Sequence, residues 1–490
     1  MKNKGSVTIF CCLMITAIMI LGLTVVGVVG HHLARAKGAI AIRSAMSGAQ
    51  AGYNSYIFQN YHILLFDKNC DGKGEAYLEE QLSRDIQHNL GEGFLVEDIG
   101  VSSYDLILDS DCQAFKTQLE DYCGYALLEG GAESILESTG GRDGTVGEEI
   151  YADMDAAEEQ ADEESGDGEN KEDELGDEEA VEGESGDDDS EDPSIFEAIT
   201  ADDPRDFTKN LSSDGILALV VPEDMDVSDK EVELDQVPSS DAVSPTEAFQ
   251  IDNDFADMDI LRGDIGEFDS WKESLISGGA GVIYAAHVFN CATDKVQEET
   301  VFDFELEYII CGKESDQANL KGVVNRIMAI RFPVNFAYLV TDGVKMAEVA
   351  SLSAPLAVLS PLPEPVIRYL IAGCWSYVEA IADVRSLLKG ESMDFLKTSY
   401  NWKTDLNDFE GTIEGNSITS ESGLDYKDYL LILLALDMDS SYYRMLDIIE
   451  LNTRQYYESF DMNNAVVGFC VDTHISYEGK SYYYRESIGY

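Results

Sequence analysis

The chain has 490 residues, and its 32 Lys and Arg residues against 95 Asp and Glu residues give a formal net charge of −63. Such a surface repels nucleic acid, and the sequence lacks the basic stripe that nucleic-acid binding needs. Anionic lipid headgroups are poor partners for the same reason. The length allows two or three domains with a sizeable core.

The first predicted element is an apolar segment, residues 7–29, which contains no charged residue. As a helix rising about 1.5 Å per residue it would span roughly 34 Å, enough to cross the roughly 30 Å hydrocarbon core of a bilayer. We therefore predict a transmembrane helix that contacts the lipid bilayer, preceded by a short basic cytoplasmic tail, residues 1–6. The alternatives are a cleaved secretory signal and a lipoprotein signal. This apolar segment is longer than the apolar core of a secretory signal. Cys11 and Cys12 lie near its start, whereas a lipoprotein cysteine ends the run.

Basic residues flank this segment almost equally: Lys2 and Lys4 precede it, and Arg35, Lys37 and Arg43 follow it. Charge alone therefore does not decide the orientation. Long domains are translocated largely regardless of charge. We expect a single-pass protein of the cell membrane with an extracellular C-terminal domain.

Residues 30–135 are predicted to form a helical extension and the first α/β part of the ectodomain. Ala41, Ala45 and Ala49 recur at helical spacing in the extension, beside Gly48 and Gly52. A small residue at every fourth position makes a flat ridge that another helix can approach closely. We predict a packing surface for another helix or subunit, and an ordinary solvated helix is the alternative.

Three further elements are expected in this part of the chain. Residues 77–89 have the apolar spacing of an amphipathic helix, with leucine and isoleucine along one face. Residues 95–108 have β character, and residues 112–128 are helical again. The first part of the ectodomain is therefore predicted to mix helices with at least one strand.

Asp67, Asn69 and Asp71 stand in the order D-x-N-x-D-G, which is the first half of a calcium-binding loop. The bidentate Glu expected at the twelfth position is missing, because Leu78 stands there and Glu79 comes one place later. Asp, Asn and Gly also form ordinary turns. The residues thus predict either a Ca²⁺ site or a plain turn.

Residues 136–200 are predicted to be an acidic, disordered linker. From residue 153 to residue 192, 22 of 40 residues are Asp or Glu, and Lys171 is the one basic residue. Such a segment has too few apolar side chains to offset the entropy cost of ordering.

Residues 201–490 are predicted to be the main part of the ectodomain. Apolar and polar residues alternate over 301–310, which favours a strand. Helices are predicted over 322–340, 344–359, 366–388, 426–436 and 440–457, and a β-hairpin over 466–477 and 481–487. The fold class is therefore α+β: a long N-terminal transmembrane helix, then a helix-rich ectodomain with a C-terminal β-hairpin, interrupted by the disordered acidic insert.

Glu379 and Asp383 are four residues apart on the predicted helix 366–388, so both carboxylates should lie on one face. Paired carboxylates can perform acid–base chemistry or hold a metal, but more often they bond to Arg or Tyr. The candidate partners are Arg326, Arg331 and Arg385. Because the sequence contains no HExxH, GxSxG or phosphate-loop motif, we predict structural pairing, no catalytic or cofactor-binding residue and no enzymatic activity.

Several distinctive segments accompany the N-terminal GSVTIF and its Ala-rich extension: residues 54–67, 111–122, 305–309, 312–316, 319–320, 331–335, 379–389, 397–402 and 444–452. Together they resemble an uncharacterised family of clostridial membrane-anchored proteins, related in layout to TadE/TadG-type pseudopilins and often encoded beside Tad (Flp) pilus machinery. The resemblance covers nearly the whole chain except the acidic insert.

This resemblance implies a pilin-like N-terminal helix and a non-enzymatic cell-surface accessory of a pilus or secretion apparatus. It also implies that other pilus or envelope proteins bind through that helix. The leader up to Gly5 is similar to a prepilin processing site, but Phe10 stands where prepilins usually carry Glu.

Two other functions fit the residues. A calcium-binding surface adhesion or scaffold protein would use Asp67, Asn69 and Asp71. A membrane-tethered enzyme would be built around Glu379 and Asp383.

Overall fold

The computed structural model describes residues 4–138 except 71 and 75, residues 215–242 except 235, and residues 279–407, 420 and 423–490. The predicted acidic linker lies outside the described residues from residue 139 onward. The helices are α1 (Lys4–Gln50), α2 (Ser55–Tyr61), α3 (Ala76–Leu90), α4 (Asp109–Ser138), α5 (Leu217–Val220), α6 (Pro238–Ala242), α7 (Gly279–Val288), α8 (Glu305–Cys311), α9 (Asp316–Thr341), α10 (Gly343–Leu359), α11 (Glu364–Leu388), α12 (Tyr426–Leu436) and α13 (Met438–Arg454). The strands are β1 (Phe66–Asp67), β2 (Phe94–Leu106), β3 (Ala465–Tyr477) and β4 (Lys480–Gly489).

The chain divides into two compact units that are each built from separate stretches of sequence. The first unit combines residues 1–122, 235–242 and 445–490, and the second combines residues 123–234 and 243–444. The C-terminal hairpin belongs to the first unit, together with the N-terminal part of the chain. The reason is strand pairing, because β3 forms its longest ladder with β2.

The sheet of the first unit is antiparallel, and β3 is its central strand. β2 pairs along one edge of β3, from Phe94 opposite Tyr477 to Leu106 opposite Val466. The other edge is shared by β4, which forms the predicted hairpin with β3, and by the short β1.

The core of the first unit lies between this sheet, α3 and the C-terminal part of α1. Ala41 and Ala45 are buried in this cluster, next to Ile42 and Met46. Helix α3 faces them with Leu78, Leu82, Ile86 and Leu90, which have the spacing of one helix face. The small-residue ridge therefore packs against a helix of its own chain.

In the part of the chain that the structure describes, two helices are long and apolar enough to cross a membrane. One is the segment Ile9–Gln50 of α1. Its most apolar stretch of 18 residues has a mean hydropathy of 2.7, and none of those residues is buried. The other is α9, which is partly buried in the second unit, where Val323, Ile327 and Arg331 are inaccessible to solvent.

The regular elements that the structure describes in the second unit are helices joined by loops, and α11 runs through its core with most residues after Ala372 buried. The strand predicted over residues 301–310 is wrong, because residues 305–311 form helix α8. Its alternating pattern was misleading, since Glu305 and Glu307 are themselves fully buried. Both carboxylates accept backbone hydrogen bonds, from Asn290 and Ala292 respectively, so they do not mark a solvent face.

Candidate functional site

Five charged side chains form a buried cluster in the second unit, which we call the ion cluster. Glu379 and Asp383 project from α11, Arg331 comes from α9, and Lys397 and Lys403 come from the loop that follows α11. None of these side chains is more than 2% exposed. The predicted pairing of the two carboxylates on one helix face is thus present and faces three cations.

Asp383 uses its two oxygens for different partners. Arg331 donates to Oδ2 from Nε at 3.1 Å and from Nη2 at 2.9 Å, and Asn335 donates to the same oxygen at 3.1 Å. Lys397 Nζ lies 2.7 Å from Oδ1. Both oxygens therefore accept charge-assisted hydrogen bonds, which are the stronger class in proteins.

Glu379 fastens the loop to α11. Its Oε1 accepts from Lys397 Nζ at 2.5 Å and from the backbone N–H of Lys403 at 2.9 Å. Its Oε2 accepts from the backbone N–H of Thr404 at 2.8 Å and from the Thr404 hydroxyl at 2.7 Å. One carboxylate thus satisfies two buried amides, a hydroxyl and an ammonium group.

The charges of the cluster determine which groups stay ionised. Burial alone would raise the pKa of Asp383, but Lys397, Arg331 and Lys403 outweigh burial and hold that pKa well below its usual range. Burial lowers the pKa of Lys403 to about 8, and the attraction of Asp383 offsets part of that effect. Asp383 is therefore a permanent anion at neutral pH and a poor general base.

Two tryptophans cover the cluster. The indole N–H of Trp375 donates to the Thr404 hydroxyl at 3.0 Å, and that of Trp402 donates to the Thr404 carbonyl at 3.0 Å. The ammonium group of Lys345 lies over both rings, 4.8 Å and 4.6 Å from their centroids. Apolar walls and full burial leave the carboxylates no open face for a substrate.

A cavity of about 230 Å³ lies beside the loop and is lined by Lys397, Lys403 and residues of the same loop, together with Ser420. Its nearest acid, Asp394, already binds the Ser420 hydroxyl at 2.5 Å and the Asn401 amide at 3.1 Å. The cavity thus adjoins the outer side of the ion cluster without exposing Glu379 or Asp383.

The three arginines proposed as partners have different roles. Arg331 binds Asp383, as predicted. Arg385 instead donates to the Leu219 carbonyl at 2.9 Å, and Arg326 donates to the Ile310 carbonyl at 2.9 Å. The two lysines were missed, because they lie in a loop without periodicity.

A second buried acid was also missed. Glu307 accepts from the Tyr426 hydroxyl and from the Ala292 N–H, both at 2.9 Å. Its other oxygen has no hydrogen-bond partner among the described residues. Burial raises the pKa of Glu307 to about 7. Glu307 was missed because residues 301–310 were predicted to form a strand. The alternation of apolar and polar residues placed Glu307 on the solvent-exposed face of that strand.

The predicted calcium loop is described only in part, because Asp71 lies outside the described residues. Asp67 Oδ1 accepts the backbone N–H of Asn69 at 2.8 Å, which is the geometry of an Asx turn. Across the described part of the chain, no group of three or more His, Cys, Asp or Glu residues is placed to hold a metal ion. The calcium site remains a prediction.

The third candidate site is the surface of α1. Large apolar side chains from Ile9 to Leu33 are exposed, with Val26 at 70% and Leu23 at 71%. From Ala34 onward, one face of the same helix is buried in the first unit. The helix therefore presents an apolar surface that its own unit does not cover.

Comparison with known proteins adds one match. A family described as a family of unknown function (DUF5702) matches residues 196–477, which is more than half of the chain. The matched part includes the whole ion cluster and strand β3. No curated protein and no solved structure matches the chain.

Proposed function

The chain belongs to the DUF5702 family of unknown function, and we propose that it is a non-enzymatic, single-pass protein of the cell envelope. In this proposal α1 anchors the chain in the membrane, the domains that follow are extracellular, and the chain is a pseudopilin-like accessory of a Tad-type pilus or secretion apparatus. The helix also binds other envelope components.

The observation that carries the proposal is the change in burial along one uninterrupted helix. Helix α1 spans Lys4–Gln50, so at about 1.5 Å per residue it is roughly 70 Å long. Its N-terminal half is apolar and exposed, whereas Ala34, Ala41 and Ala45 in its C-terminal half are 3%, 3% and 2% exposed. Exposed apolar surface of this extent is stable in lipid or against other helices, and is costly in water.

Strand β4 and the residue that follows it fasten the C-terminal part of α1, from His31 to Gln50, to the sheet. His31 hydrogen-bonds to Tyr482 at 3.0 Å, and the Tyr484 hydroxyl donates to the Arg35 carbonyl at 3.1 Å. Farther along, Arg43 pairs with Glu486 at 2.9 Å and Tyr490 donates to the Gln50 carbonyl at 2.5 Å. Such repeated contacts favour a rigid projection of the anchor from the first unit, which is the arrangement expected of a pilin-like subunit.

The ion cluster supports the non-enzymatic part of the proposal. Each oxygen of Glu379 and Asp383 already accepts a hydrogen bond or pairs with a cation, and neither side chain is exposed. A general base must reach the proton that it removes. We infer that the cluster is structural and holds the loop after α11 in place.

Membrane anchoring is tested by fractionation of cells that express the full-length chain. We expect the unchanged protein to stay in the membrane pellet after alkaline carbonate washing. The double variant Leu21→Lys with Val25→Lys should be released, because each Lys costs about 2.5–3.5 kcal/mol of insertion free energy at a helix centre. The matched control is Leu95→Lys, an exposed leucine of β2. Release of the unchanged protein without detergent contradicts anchoring.

Orientation and partner binding need separate measurements. Protease treatment of intact cells should remove the C-terminal domains, and their complete protection would contradict the extracellular placement.

A photo-crosslinking amino acid at position 18 of α1 should capture neighbouring envelope proteins, identified by mass spectrometry. The same group at position 95 is the control, and equal capture from both positions would contradict binding through α1.

A further inference from the structure

The hairpin of α10 and α11 ends in an apolar tip that belongs to the second unit and is separate from the ion cluster. Its most exposed large side chains are Val358 at 85% and Leu359 at 61%, and Leu362 is 45% exposed. Tyr369 at 50% and Leu370 at 48% lie farther along, on the first turns of α11. The end of the hairpin, residues 349–363, is called the hairpin tip below.

Charge is absent from the end of the hairpin. Residues 349–363 contain no Asp, Glu, Lys, Arg or His, in a chain whose net charge is −63. The flanking charges are Glu348 on one side and Glu364 on the other, and Glu364 is paired with Arg368 at 2.8 Å. A protein segment that enters hydrocarbon must avoid charge, whereas a water-facing turn has no such constraint.

The three serines of the hairpin tip are hydrogen-bonded within it or to its flanking residues. The hydroxyl of Ser351 donates to the Glu348 carbonyl at 2.6 Å, and that of Ser353 donates to Glu364 at 2.5 Å. Ser360 accepts the backbone N–H of Leu362 at 3.2 Å. Four positions lack an N–H altogether because they are proline: Pro355, Pro361, Pro363 and Pro365. Hydroxyls that already hydrogen-bond cost less to move out of water than unpaired ones.

Tyr369 gives the surface a polar boundary. It lies one residue after Arg368, on the side of the tip where charges resume. Half-exposed tyrosines are enriched at the level of lipid headgroups, because the ring is apolar and the hydroxyl stays hydrated. From Leu359 onward the surface is thus apolar up to Pro363, then carries the paired charges of Glu364 and Arg368, and then the aromatic ring of Tyr369.

We propose that the hairpin tip inserts into the bilayer as a second, shallow membrane contact of this chain. This inference rests on the proposed anchoring by α1, which tethers the chain to a membrane. Interfacial helices bury their apolar face by about 5–10 Å in the headgroup and acyl boundary. A second copy is the less suitable occupant, because two chains of net charge −63 repel each other, whereas uncharged lipid does not repel the tip.

The test uses the full-length protein reconstituted in phosphatidylcholine vesicles whose acyl chains carry bromine, a quencher of tryptophan. The bromine is at a shallow position for Val358→Trp and Tyr400→Trp and, in a parallel preparation, near the acyl-chain ends for Ile18→Trp, which lies at the centre of the predicted span. Three single variants are compared: Val358→Trp at the hairpin tip, Ile18→Trp in α1 and Tyr400→Trp in a polar loop of the second unit. Tyr400 is 89% exposed and matches Val358 in exposure. Emission of the unchanged chain, which has three tryptophans, is subtracted.

We expect bromine to quench Val358→Trp at least twofold more than Tyr400→Trp. Equal quenching of these two overturns the hairpin-tip proposal, and Ile18→Trp then shows separately whether α1 is inserted. If Val358→Trp is quenched while Ile18→Trp is not, the tip proposal stands and anchoring by α1 fails. A blue-shifted but unquenched Val358→Trp would assign the tip to a protein neighbour such as a second copy, and would also overturn the proposal.

Discussion

The guanidinium group of Arg331 donates two hydrogen bonds to a single oxygen of Asp383, and neither side chain is exposed to solvent. The remaining donors of Arg331 bind the loop after α11, at the carbonyls of Asp394 and Phe395. One arginine therefore joins α9, α11 and the loop. The energetic consequence is that each partner is costly to remove, because the other would be left as a buried, uncompensated charge.

Asp383→Asn tests this relationship. The amide keeps the shape of the carboxylate but leaves Arg331 and Lys397 with less negative charge than they need. We expect a loss of about 3–5 kcal/mol in the free energy of unfolding of the second unit. Denaturant titration of the full-length protein, followed by tryptophan emission, measures this loss, because Trp375 and Trp402 both lie in that unit.

The matched control for Asp383→Asn is Glu298→Gln, which removes one negative charge from an exposed site of the same unit. Exposed carboxylates contribute little to stability, so a change within about 0.5 kcal/mol is expected. Equal effects of the two substitutions would show that the contact between Arg331 and Asp383 contributes nothing specific.

Glu379→Gln should loosen the loop rather than the helix. In the unchanged protein the Glu379 carboxylate accepts hydrogen bonds from the backbone amides of Lys403 and Thr404 and from the ammonium group of Lys397. The NH₂ group of a glutamine would face at least one of these donors, and two donors cannot bond to each other. Leaving such groups unsatisfied costs about 1–3 kcal/mol. We expect the amides of Lys403 and Thr404 to exchange with deuterium roughly tenfold faster or more, since about 1.4 kcal/mol corresponds to a factor of ten.

Hydrogen exchange followed by mass spectrometry gives the comparison within one experiment. Peptides from α7 serve as an internal reference, and Glu348→Gln, an exposed acid of α10, serves as the control variant. Protection that is unchanged at residues 403–404 in Glu379→Gln would contradict the role assigned to this carboxylate.

Regular periodicity made much of the fold predictable. Helix α12 begins and ends at the predicted residues, Tyr426 and Leu436, because Asp425 caps an uninterrupted apolar run. Strand β3 was predicted within one residue for a similar reason. By contrast, residues 305–311 form a helix in which Glu305 and Glu307 are buried, so a polar residue did not mark the surface.

The ion cluster, too, was only partly predictable from the sequence. Spacing along α11 was enough to place Glu379 and Asp383 on one face, and Arg331 was among the expected partners. Lys397 and Lys403 come from a loop with no repeating pattern, and their approach depends on hydrogen bonds that form only after the chain folds. Local sequence carries no signal for such long-range pairing.

The buried carboxylate of Glu307 should make stability depend on pH. Burial raises its pKa from the ordinary 4.5 to about 7 in the folded state. The unfolded chain therefore releases this proton at lower pH than the folded chain does, so the free energy of unfolding should fall as pH rises from about 4.5 to about 7. The contribution of this one group is at most about 3 kcal/mol.

Glu307→Gln isolates that contribution. The difference in unfolding free energy between the unchanged protein and the variant should shrink as pH rises through this window and become constant above it. Asp428 and Glu450, whose pKa values burial also raises to about 7, contribute slopes of the same sign and remain in both proteins. Parallel pH profiles for the two proteins would contradict a raised pKa at Glu307.

Gly38 of α1 lies against the ring of Tyr484 in β4, and it provides a test of the contact between these two elements. A Cβ at this position would lie 2.2 Å from the Tyr484 hydroxyl oxygen and 2.6 Å from Cζ of the same ring. Gly38→Ala therefore forces Tyr484 away and breaks its hydrogen bond to the Arg35 carbonyl. Overpacking of this kind typically costs about 1–3 kcal/mol of unfolding free energy.

The control is Gly48→Ala in the same helix. A Cβ at this position has no neighbouring atom within 4 Å, so the substitution should be neutral or stabilising by up to about 1 kcal/mol.

Hydrogen exchange of the amides in β4 of the full-length protein measures both effects. We expect faster exchange in Gly38→Ala and no such change in Gly48→Ala. In a Tyr484→Ala background the cost of Gly38→Ala should largely disappear, because the alanine then has room. Equal exchange in the two glycine variants would mean that β4 does not pack against α1 at this point. In that case α1 would no longer project rigidly from the first unit, and the pilin-like part of the proposed function would lose its support.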